Sequence, residues 1–467
     1  MGRKDNGRPG GLLQSPRLLR ADVELAEDAD DAIRIVSGLL RRGDHGEAFR
    51  ERRTAVSWSA SEAGLQMPSV SDERGTAVRI RSGREALLFA REGDGPESLR
   101  EVVRDASRRA GGAPFLKARP GAPGPASRPR AGVAEDETAL LSSALARALP
   151  DPRGLSLELT VSRVSVTRAV ITSRAVHSCG TTVRLVASGL VRRAAGSRPF
   201  AFQSAEPYPR AVDALANALR FAVRPVATTP PPEGEVDIVL SPAAASVFWH
   251  EVVGHPLEAE GALRHSALAR VANAGVAPPG LDVTDDPTRP HLPGTFGYDD
   301  EGTPARRIPL LEDGRVVGFL TDRRTGGDDS NGHGRAADYR RPPRPRLSNL
   351  VVAPGNASLP ELLERCGTGL LVHEIAAGSL EPESGRFLLF VTAADSVRRG
   401  RTGAPAAPFA LSGDALSALR HLDAARGSTA LPAEGLGLCM KGGEAVPVGG
   451  VSPAILLHGL RVSPGRP

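Results

Sequence analysis

The chain of 467 residues contains few lysines and few aromatic side chains. Lys4, Lys117 and Lys441 are the only lysines among 59 basic residues, and Phe, Trp and Tyr make up 4% of the sequence. Its cores must therefore be built mainly from Ala, Val and Leu. Only three cysteines are present. They are too few for a disulfide framework, and this favours a reducing compartment.

Long apolar runs are also missing. No run approaches the length of a membrane span, and the N-terminal segment lacks the apolar region of a secretory signal. We therefore expect a cytoplasmic protein with no membrane partner. The formal net charge is +5, but the arginines are interleaved with Asp and Glu instead of forming one basic face. A nucleic-acid partner is not expected.

Length and composition predict two domains in an α+β fold. Residues 1–20 are expected to be a disordered leader, and residues 21–226 an N-terminal α/β domain. A Pro/Gly-rich loop without periodicity is predicted at 111–132, and a hinge at 227–235. Residues 235–467 are predicted to form a β-rich C-terminal domain that carries the chemistry.

Hydrophobic periodicity indicates the elements within the N-terminal region. Helical spacing of apolar residues predicts helices over 30–42, 96–110, 135–149 and 209–221. Alternating apolar residues predict strands at 56–60, 78–80, 86–90 and within 155–191.

The most informative stretch is FWHEVVGH at 248–255. It places His250, Glu251 and His255 at the spacing His-Glu-x-x-x-His, one residue longer than the common zincin motif. Neutral imidazoles bind Zn²⁺ well, and a glutamate beside the first ligand can take a proton from an activated water. The segment therefore indicates a zinc hydrolase. The competing interpretation is a surface helix with two hydrogen-bonded histidines.

Ser241 and Pro242 predict the start of this helix, and Pro256 predicts its end. Two residues five positions apart on a regular α-helix point about 140° away from each other. His250 and His255 could not then face one ion. Either a π-type turn brings them to one face, or His255 leaves the helix. A local distortion is required in both cases.

A catalytic zinc needs three protein ligands and an open position. The candidates for the third ligand are Glu258, Glu260, His265, Cys366 and Cys439. The two glutamates could instead orient an imidazole from outside the ligand set. Cys439 lies in the glycine-rich segment GLGLCMKGG, although a lone cysteine can also be a small buried hydrophobe.

Several segments together resemble the TldD/PmbA family of zinc metallopeptidases, specifically its metal-bearing TldD-like subunit. FWHEVVGHPLEAEG is similar to the family's metal helix. Three later blocks resemble family segments in family order: DDEGTPARRIPLLEDGRVVGFLTDRRTG (299–326), NGHGRAADYRRPPRPRLSNLVVAPG (331–355) and GLCMKGGEAVPVGGVSPAILLHGLRV (437–462). The resemblance implies that His250, His255 and Cys439 bind Zn²⁺ and that Glu251 is the general base.

The chain departs from the family pattern at a few positions. Met440 stands where the family usually has Gly, and Glu444 where it often has Gln. The segment 371–391 is bulkier and more charged than the Gly-rich family segment. It resembles part of the substrate-binding region, so we expect a different peptide preference. The residues that bind substrate stay unassigned.

The resemblance implies a peptidase that hydrolyses small or unfolded peptides, including leader removal from ribosomally made modified peptides. It also implies a dimer, with a metal-free TldE/PmbA-like homologue as the expected partner. An exposed sheet edge could bind a peptide as an added strand. The alternatives are a non-catalytic scaffold subunit and a zinc hydrolase of a non-peptide amide.

The sequence does not identify the group that polarises the scissile carbonyl. Tyr339, Arg346 and Asn349 are candidates, although a tyrosine and an arginine in a Pro-rich loop are more often structural. His333 and His373 are expected to be surface groups or groups outside the ligand set.

Overall fold

The chain is described from a computed structural model. The described residues are 32–34, 45–66, 68–82, 85–109, 133–149, 153–172, 175–193, 196–224, 227, 229–260, 265–355, 357–423 and 437–464. The predicted leader 1–20, the predicted loop 111–132 and most of the predicted helix over 30–42 lie outside this set.

A seven-stranded antiparallel sheet forms the centre of the N-terminal half. Its order is β4-β3-β1-β5-β6-β7, with β2 paired to β1. The strands are β1 (His45–Ser61), β2 (Gly64–Leu65), β3 (Ser69–Ser82), β4 (Glu85–Glu92), β5 (Leu155–Ile171), β6 (Val176–Arg193) and β7 (Gly196–Ser204). The predicted strands at 56–60, 78–80, 86–90 and within 155–191 are confirmed.

The helices of the described ranges that cover one face of this sheet include α1 (Pro96–Arg109), α2 (Val133–Ala148) and α3 (Tyr208–Ala222). They confirm the helices predicted over 96–110, 135–149 and 209–221. On β1 the helices bury Ala48, Val56, Trp58 and Ala60. The predicted mixture of helix and sheet is present, but the parallel sheet that an α/β domain implies is not. Short connections join β3 to β4, β5 to β6 and β6 to β7, and such connections make neighbouring strands antiparallel.

The C-terminal half is rich in strands, as predicted. They are β8 (Gly234–Leu240), β9 (Val283–Asp285), β10 (Ile308–Glu312), β11 (Arg315–Val316), β12 (Gly334–Arg335), β13 (Arg344–Pro345), β14 (Asn349–Val352), β15 (Thr368–Leu380), β16 (Arg386–Arg398), β17 (Arg401–Ala406), β18 (Phe409–Asp414), β19 (Leu422–Asp423), β20 (Leu438–Lys441), β21 (Glu444–Pro447), β22 (Gly449–Val451) and β23 (Ile455–Pro464). The helices are α4 (Pro242–Trp249), α5 (Arg323–Gly326), α6 (Leu359–Cys366) and α7 (Ala415–Arg420).

Five of these strands close into a ring. The order β15-β8-β23-β18-β16 is completed by pairing of β16 with β15. A second sheet has the order β11-β10-β9-β14-β22. Helix α4 is buried in the core that the two sheets share, where the rings of Phe248 and Phe387 lie 5.8 Å apart. This buried helix leads directly into the histidine motif.

The two halves meet on the sheet face opposite the helices. There the ring of Tyr339 packs with Phe49, and a Cβ on Gly75 would lie only 2.2 Å from that ring. Arg168 Nη1 donates to Asp300 Oδ2 at 2.9 Å across the same surface. The division of the chain at 227–235 into two domains stays a prediction, because the halves share this contact surface.

Candidate metal centre

Helix α4 begins as its sequence predicts. The Ser241 hydroxyl accepts a hydrogen bond from the Ala244 amide, and Pro242 occupies the first turn. The helix then widens into a π-helical turn at His250–Gly254, followed by a 3₁₀ turn at His255–Leu257. The predicted distortion is therefore confirmed, in its π-helical form.

The prediction that Pro256 ends this helical segment is wrong. His255 keeps right-handed helical dihedrals, with φ −58° and ψ −43°, and the chain becomes extended only at Glu258. Proline disrupts a regular α-helix because its ring meets the carbonyl four residues earlier. Pro256 instead lies in the first turn of the 3₁₀ segment, a position where the missing N–H of proline is tolerated.

The π turn brings the two histidines together. Their ring centroids are 4.6 Å apart, and the ring planes cross at 78°. His250 is buried, and its Nδ1 has no hydrogen-bond partner among the described residues. A buried ring nitrogen without a partner is costly unless another group satisfies it.

Cys439 approaches the histidines from a hairpin formed by β20 and β21. Gly442 and Gly443 have φ values of 59° and 77°, which suit the turn between these strands. Arg346 holds the hairpin by donating from Nη2 to the Cys439 carbonyl at 2.7 Å. Cys439 Sγ lies 3.3 Å from His255 Nε2. One ligand atom each from His250, His255 and Cys439 lie within 4.8 Å of one another.

Glu258 holds the outer side of His255. Its Oε2 lies 3.0 Å from His255 Nδ1 and 2.7 Å from Lys441 Nζ, while its Oε1 accepts from the Leu347 amide at 3.0 Å. Burial would raise the pKa of this carboxyl, but His255, Lys441 and Arg346 lower it well below its usual value. Glu258 is thus a buried carboxylate that orients an imidazole.

Contacts within this cluster shift the pKa of the His255 imidazole and the pKa of the Cys439 thiol. Burial disfavours the charged form of His255, but Glu258 and Cys439 raise the His255 pKa well above 6.5. Burial would raise the pKa of the Cys439 thiol, yet His250 and His255 lower it well below 9.0. The cluster therefore favours a thiolate, the form of cysteine that binds metals.

The other candidates for the third ligand lie elsewhere. Glu260 is bound by Lys441 Nζ at 3.0 Å and by Arg344 Nε at 2.7 Å. Cys366 is buried in a separate apolar cluster, and His265 is exposed. Among the described residues, the group of potential metal ligands contains Cys439 and none of these three.

The candidates for carbonyl polarisation have structural contacts. Arg346 is buried and bound to the Cys439 hairpin. The Asn349 side chain accepts from the Gly294 amide at 2.9 Å and donates to the Asp286 carbonyl at 3.1 Å. Tyr339 is buried between the two halves. The group that stabilises a developing oxyanion stays unassigned.

His333 and His373 also have partners outside the ligand group. His333 is fully buried, with Nε2 2.9 Å from Asp285 Oδ1, and His373 Nε2 lies 2.9 Å from Asp395 Oδ2. The structure therefore places both histidines in separate carboxylate pairs.

Glu251 lies half-buried beside His250 on the π turn. A Cβ on Gly378 of β15 would lie 2.6 Å from Glu251 Cγ. Only a glycine therefore leaves room for this glutamate against the strand. Sequence reasoning did not find this requirement, and it did not find the Lys441–Glu258 contact. Spacing alone gives no signal that joins residues so far apart in the chain.

Comparison with known proteins identifies the C-terminal half. Residues 233–464 match the family model described as the PmbA/TldA metallopeptidase C-terminal domain. The chain belongs to the TldD/PmbA family. This confirms the resemblance seen in its sequence blocks.

Curated proteins are similar to about half of this chain. A metalloprotease from Methanothermobacter thermautotrophicus is 32% identical over 245 residues, which are 52% of this chain and 53% of that protein. A zinc metalloprotease TldD homolog from Saccharolobus solfataricus is 28% identical over 252 residues, which are 53% and 56% of the two chains. The chain thus spans about half the length of the curated relatives it matches.

Solved structures resemble the TldD/PmbA chain over nearly its whole length. TldE from Thermococcus kodakarensis gives a TM-score of 0.70 at 17% identity, covering 93% of this chain and 99% of that one. A putative modulator of a DNA gyrase from Thermotoga maritima gives 0.69 at 17% identity, covering 94% and 100%. These likenesses concern the fold, and they confirm the predicted α+β class. No helix in the described ranges is long and apolar enough to cross a membrane.

Proposed function

We propose that this chain is a zinc-dependent metallopeptidase of the His-Glu-x-x-x-His type that hydrolyses small or unfolded peptides. The observation that carries the proposal is the convergence of His250, His255 and Cys439 beside Glu251. Two imidazoles and a thiolate are a donor set that zinc accepts, and three protein ligands leave a position open. The unpartnered Nδ1 of His250 fits the same assignment.

Zinc held by His250, His255 and Cys439 would polarise the scissile carbonyl and acidify the attacking water. Glu251 takes the proton of that water and delivers it to the leaving amine. Gly378 keeps space for the Glu251 side chain next to β15. Glu258 holds the proton on His255 Nδ1, so that Nε2 can present its lone pair to the metal.

The edge of β15 supports an extended peptide as the substrate. Residues Gly369–Val372 pair with β8 on one edge, whereas 374–380 pair only with β16 among the described residues. The open edge therefore runs past Gly378, the residue against which Glu251 lies. A peptide added as a strand would hydrogen-bond through its backbone, which selects for unfolded chains and tolerates many sequences.

We further propose a cytoplasmic dimer, with a metal-free homologue as partner, that removes leaders from ribosomally made modified peptides. The fold likeness to TldE supports a partner of this kind. Two chains of one fold can pair through equivalent surfaces and enclose a site.

Replacing Glu251 with Gln tests the general base. We expect peptide hydrolysis to fall by about 10²- to 10⁴-fold because the amide cannot accept the proton. Zinc content should be unchanged, since Glu251 is not in the ligand group. The measurement is the rate of cleavage of a denatured polypeptide and of short extended peptides, after zinc loading.

The matched control is Glu158→Gln, which changes an exposed glutamate of the N-terminal sheet that pairs with Arg192. It should retain wild-type rates. A Glu251→Gln variant that cleaves as fast as wild type would overturn the assignment. Wild-type protein that binds zinc yet cleaves no peptide, alone or with a TldE-like partner, would overturn the peptidase proposal.

A further inference from the structure

Lys441 connects the two elements that carry the candidate ligands. It lies two residues after Cys439 on β20, and its Nζ is 2.7 Å from Glu258 Oε2 and 3.0 Å from Glu260 Oε2. Both glutamates directly follow the turn that holds His255. The ammonium group of Lys441 thus joins β20, which carries Cys439, to the end of the helical segment that carries the two histidines.

The carboxylate that receives Lys441 is fully buried. Glu258 has no exposed side-chain surface, and both of its oxygens are occupied by the Leu347 amide, His255 Nδ1 and Lys441 Nζ. A buried carboxylate is strongly destabilising when one of its partners is removed. The geometry therefore makes the position of Glu258, and of the His255 ring that it holds, dependent on Lys441.

Arg346 fixes the hairpin at a different point. It binds the main-chain carbonyls of Cys439 and Glu444, whereas Lys441 acts through its side chain on the helix end. Without Lys441, Arg346 would still hold the β20–β21 hairpin in place. The distance between this hairpin and His255, however, would no longer be fixed by a side-chain contact. The two contacts therefore have separable effects.

We propose that Lys441 and Glu258 form a positioning pair, which sets the separation between Cys439 Sγ and His255 Nε2 before any metal binds. The inference rests on the proposed function, because it assigns a purpose to the same metal centre. It predicts that the pair controls metal affinity even though neither residue is in the ligand group. Neighbours that orient ligands in this way typically change metal affinity by about 10- to 100-fold when replaced.

The test is Zn²⁺ affinity, measured by competition with a chelator, in wild type and in Lys441→Met. Methionine keeps most of the side-chain volume and removes the charge. We expect affinity about 10- to 100-fold weaker. Lys441→Arg, which keeps the charge, should recover part of the loss. Arg147→Met is the matched control, because it removes the exposed Arg147–Asp213 pair of the N-terminal half and should leave affinity unchanged.

A second readout separates positioning from general stability. Co²⁺ replaces Zn²⁺, and absorption from the thiolate–cobalt bond reports whether Cys439 reaches the metal. Lys441→Met should weaken or shift this band, while the thermal midpoint of the metal-free protein shows whether the variant is folded. If Lys441→Met proves unfolded, Glu260→Gln takes its place with a smaller expected loss of affinity, because it leaves the Lys441–Glu258 contact intact while it neutralises the carboxylate that Lys441 shares with Arg324 and Arg344.

Zinc affinity and a cobalt spectrum equal to wild type in folded Lys441→Met would overturn the positioning pair and leave the peptidase proposal intact. Weakened zinc affinity in Lys441→Met, together with no peptide cleavage by wild type either alone or with a TldE-like partner, would support the pair and overturn the peptidase proposal. A wild-type protein that binds neither metal would overturn the pair together with the metal centre.

Discussion

Two buried cysteines, Cys366 and Cys439, have opposite surroundings. Cys366 ends helix α6 within an apolar cluster, and burial together with the charge of Asp237 raises its pKa to about 11. Cys439 is equally hidden from solvent, but two imidazoles lower its pKa well below 9.0. Burial alone therefore does not determine the chemistry of a thiol. The groups within a few ångströms of the sulfur do.

Cys439→Ala should produce the largest effect in this comparison. Replacing a residue that only orients a ligand lowers metal affinity by about 10- to 100-fold. Removing Cys439 itself, a member of the ligand group, should lower zinc affinity by more than this. Peptide hydrolysis should disappear with the metal. Metal per chain after dialysis, measured by mass spectrometry, checks this. Full zinc retention by Cys439→Ala would show that Cys439, like Cys366, is not a metal ligand.

The pH at which each thiol ionises sharpens the comparison. In metal-free protein, thiolate absorbance that is lost in Cys439→Ala should already be present well below pH 9.0, because the neighbouring imidazoles lower the pKa of this thiol. Absorbance that is lost in Cys366→Ala should appear only towards about pH 11. Cys179 is kept in every variant, so each difference spectrum reports one residue. Equal midpoints for both thiols would contradict the assignment.

The raised pKa of Cys366 also determines how its contribution to folding stability changes with pH. In the folded chain this thiol holds its proton above 9.0, its ordinary value, whereas the unfolded chain releases it. Its contribution to stability is therefore complete below pH 9.0 and is lost as pH rises towards about 11. Urea unfolding of metal-free protein at pH 9.0 and at about pH 11 gives the loss of unfolding free energy between these two pH values. This loss should be smaller in Cys366→Ala than in wild type.

Cys366→Ala should have the smallest effect. Shortening a buried side chain in the cluster should cost on the order of 1 kcal/mol of unfolding free energy. Zinc content and cleavage rate should equal those of wild type, since Cys366 lies outside the ligand group. Denaturant unfolding and metal analysis of the same preparation measure both quantities. A loss of zinc in Cys366→Ala would mean that Cys366 also contributes to metal binding.

Local sequence pattern predicted much of the fold. The helices at 96–110 and 209–221 and the alternating strands follow from side-chain periodicity, which depends only on near neighbours in the chain. The need for a distortion between His250 and His255 follows from helix geometry in the same way. These features require no knowledge of distant residues.

Features that depend on distant contacts were not predictable in this way. The sequence left five residues open as the third ligand, and only the packing of the β20–β21 hairpin brings Cys439 to His255, 184 positions away. The prediction for Pro256 was wrong because the sequence does not show that a new 3₁₀ turn starts at His255, in which proline occupies the tolerated first turn. An arginine in a Pro-rich loop is more often structural than a substrate group, and Arg346 binds the Cys439 carbonyl, a partner that the sequence pattern does not indicate.

The chain has two tryptophans, and the fold places one in each half. Trp58 lies in the N-terminal core and Trp249 immediately before His250, both with no exposed surface. Their fluorescence would therefore change as each half unfolds. A Trp58→Phe protein would leave a single emitter against the histidine turn, so that metal uptake and loosening of α4 could be followed optically without an added label.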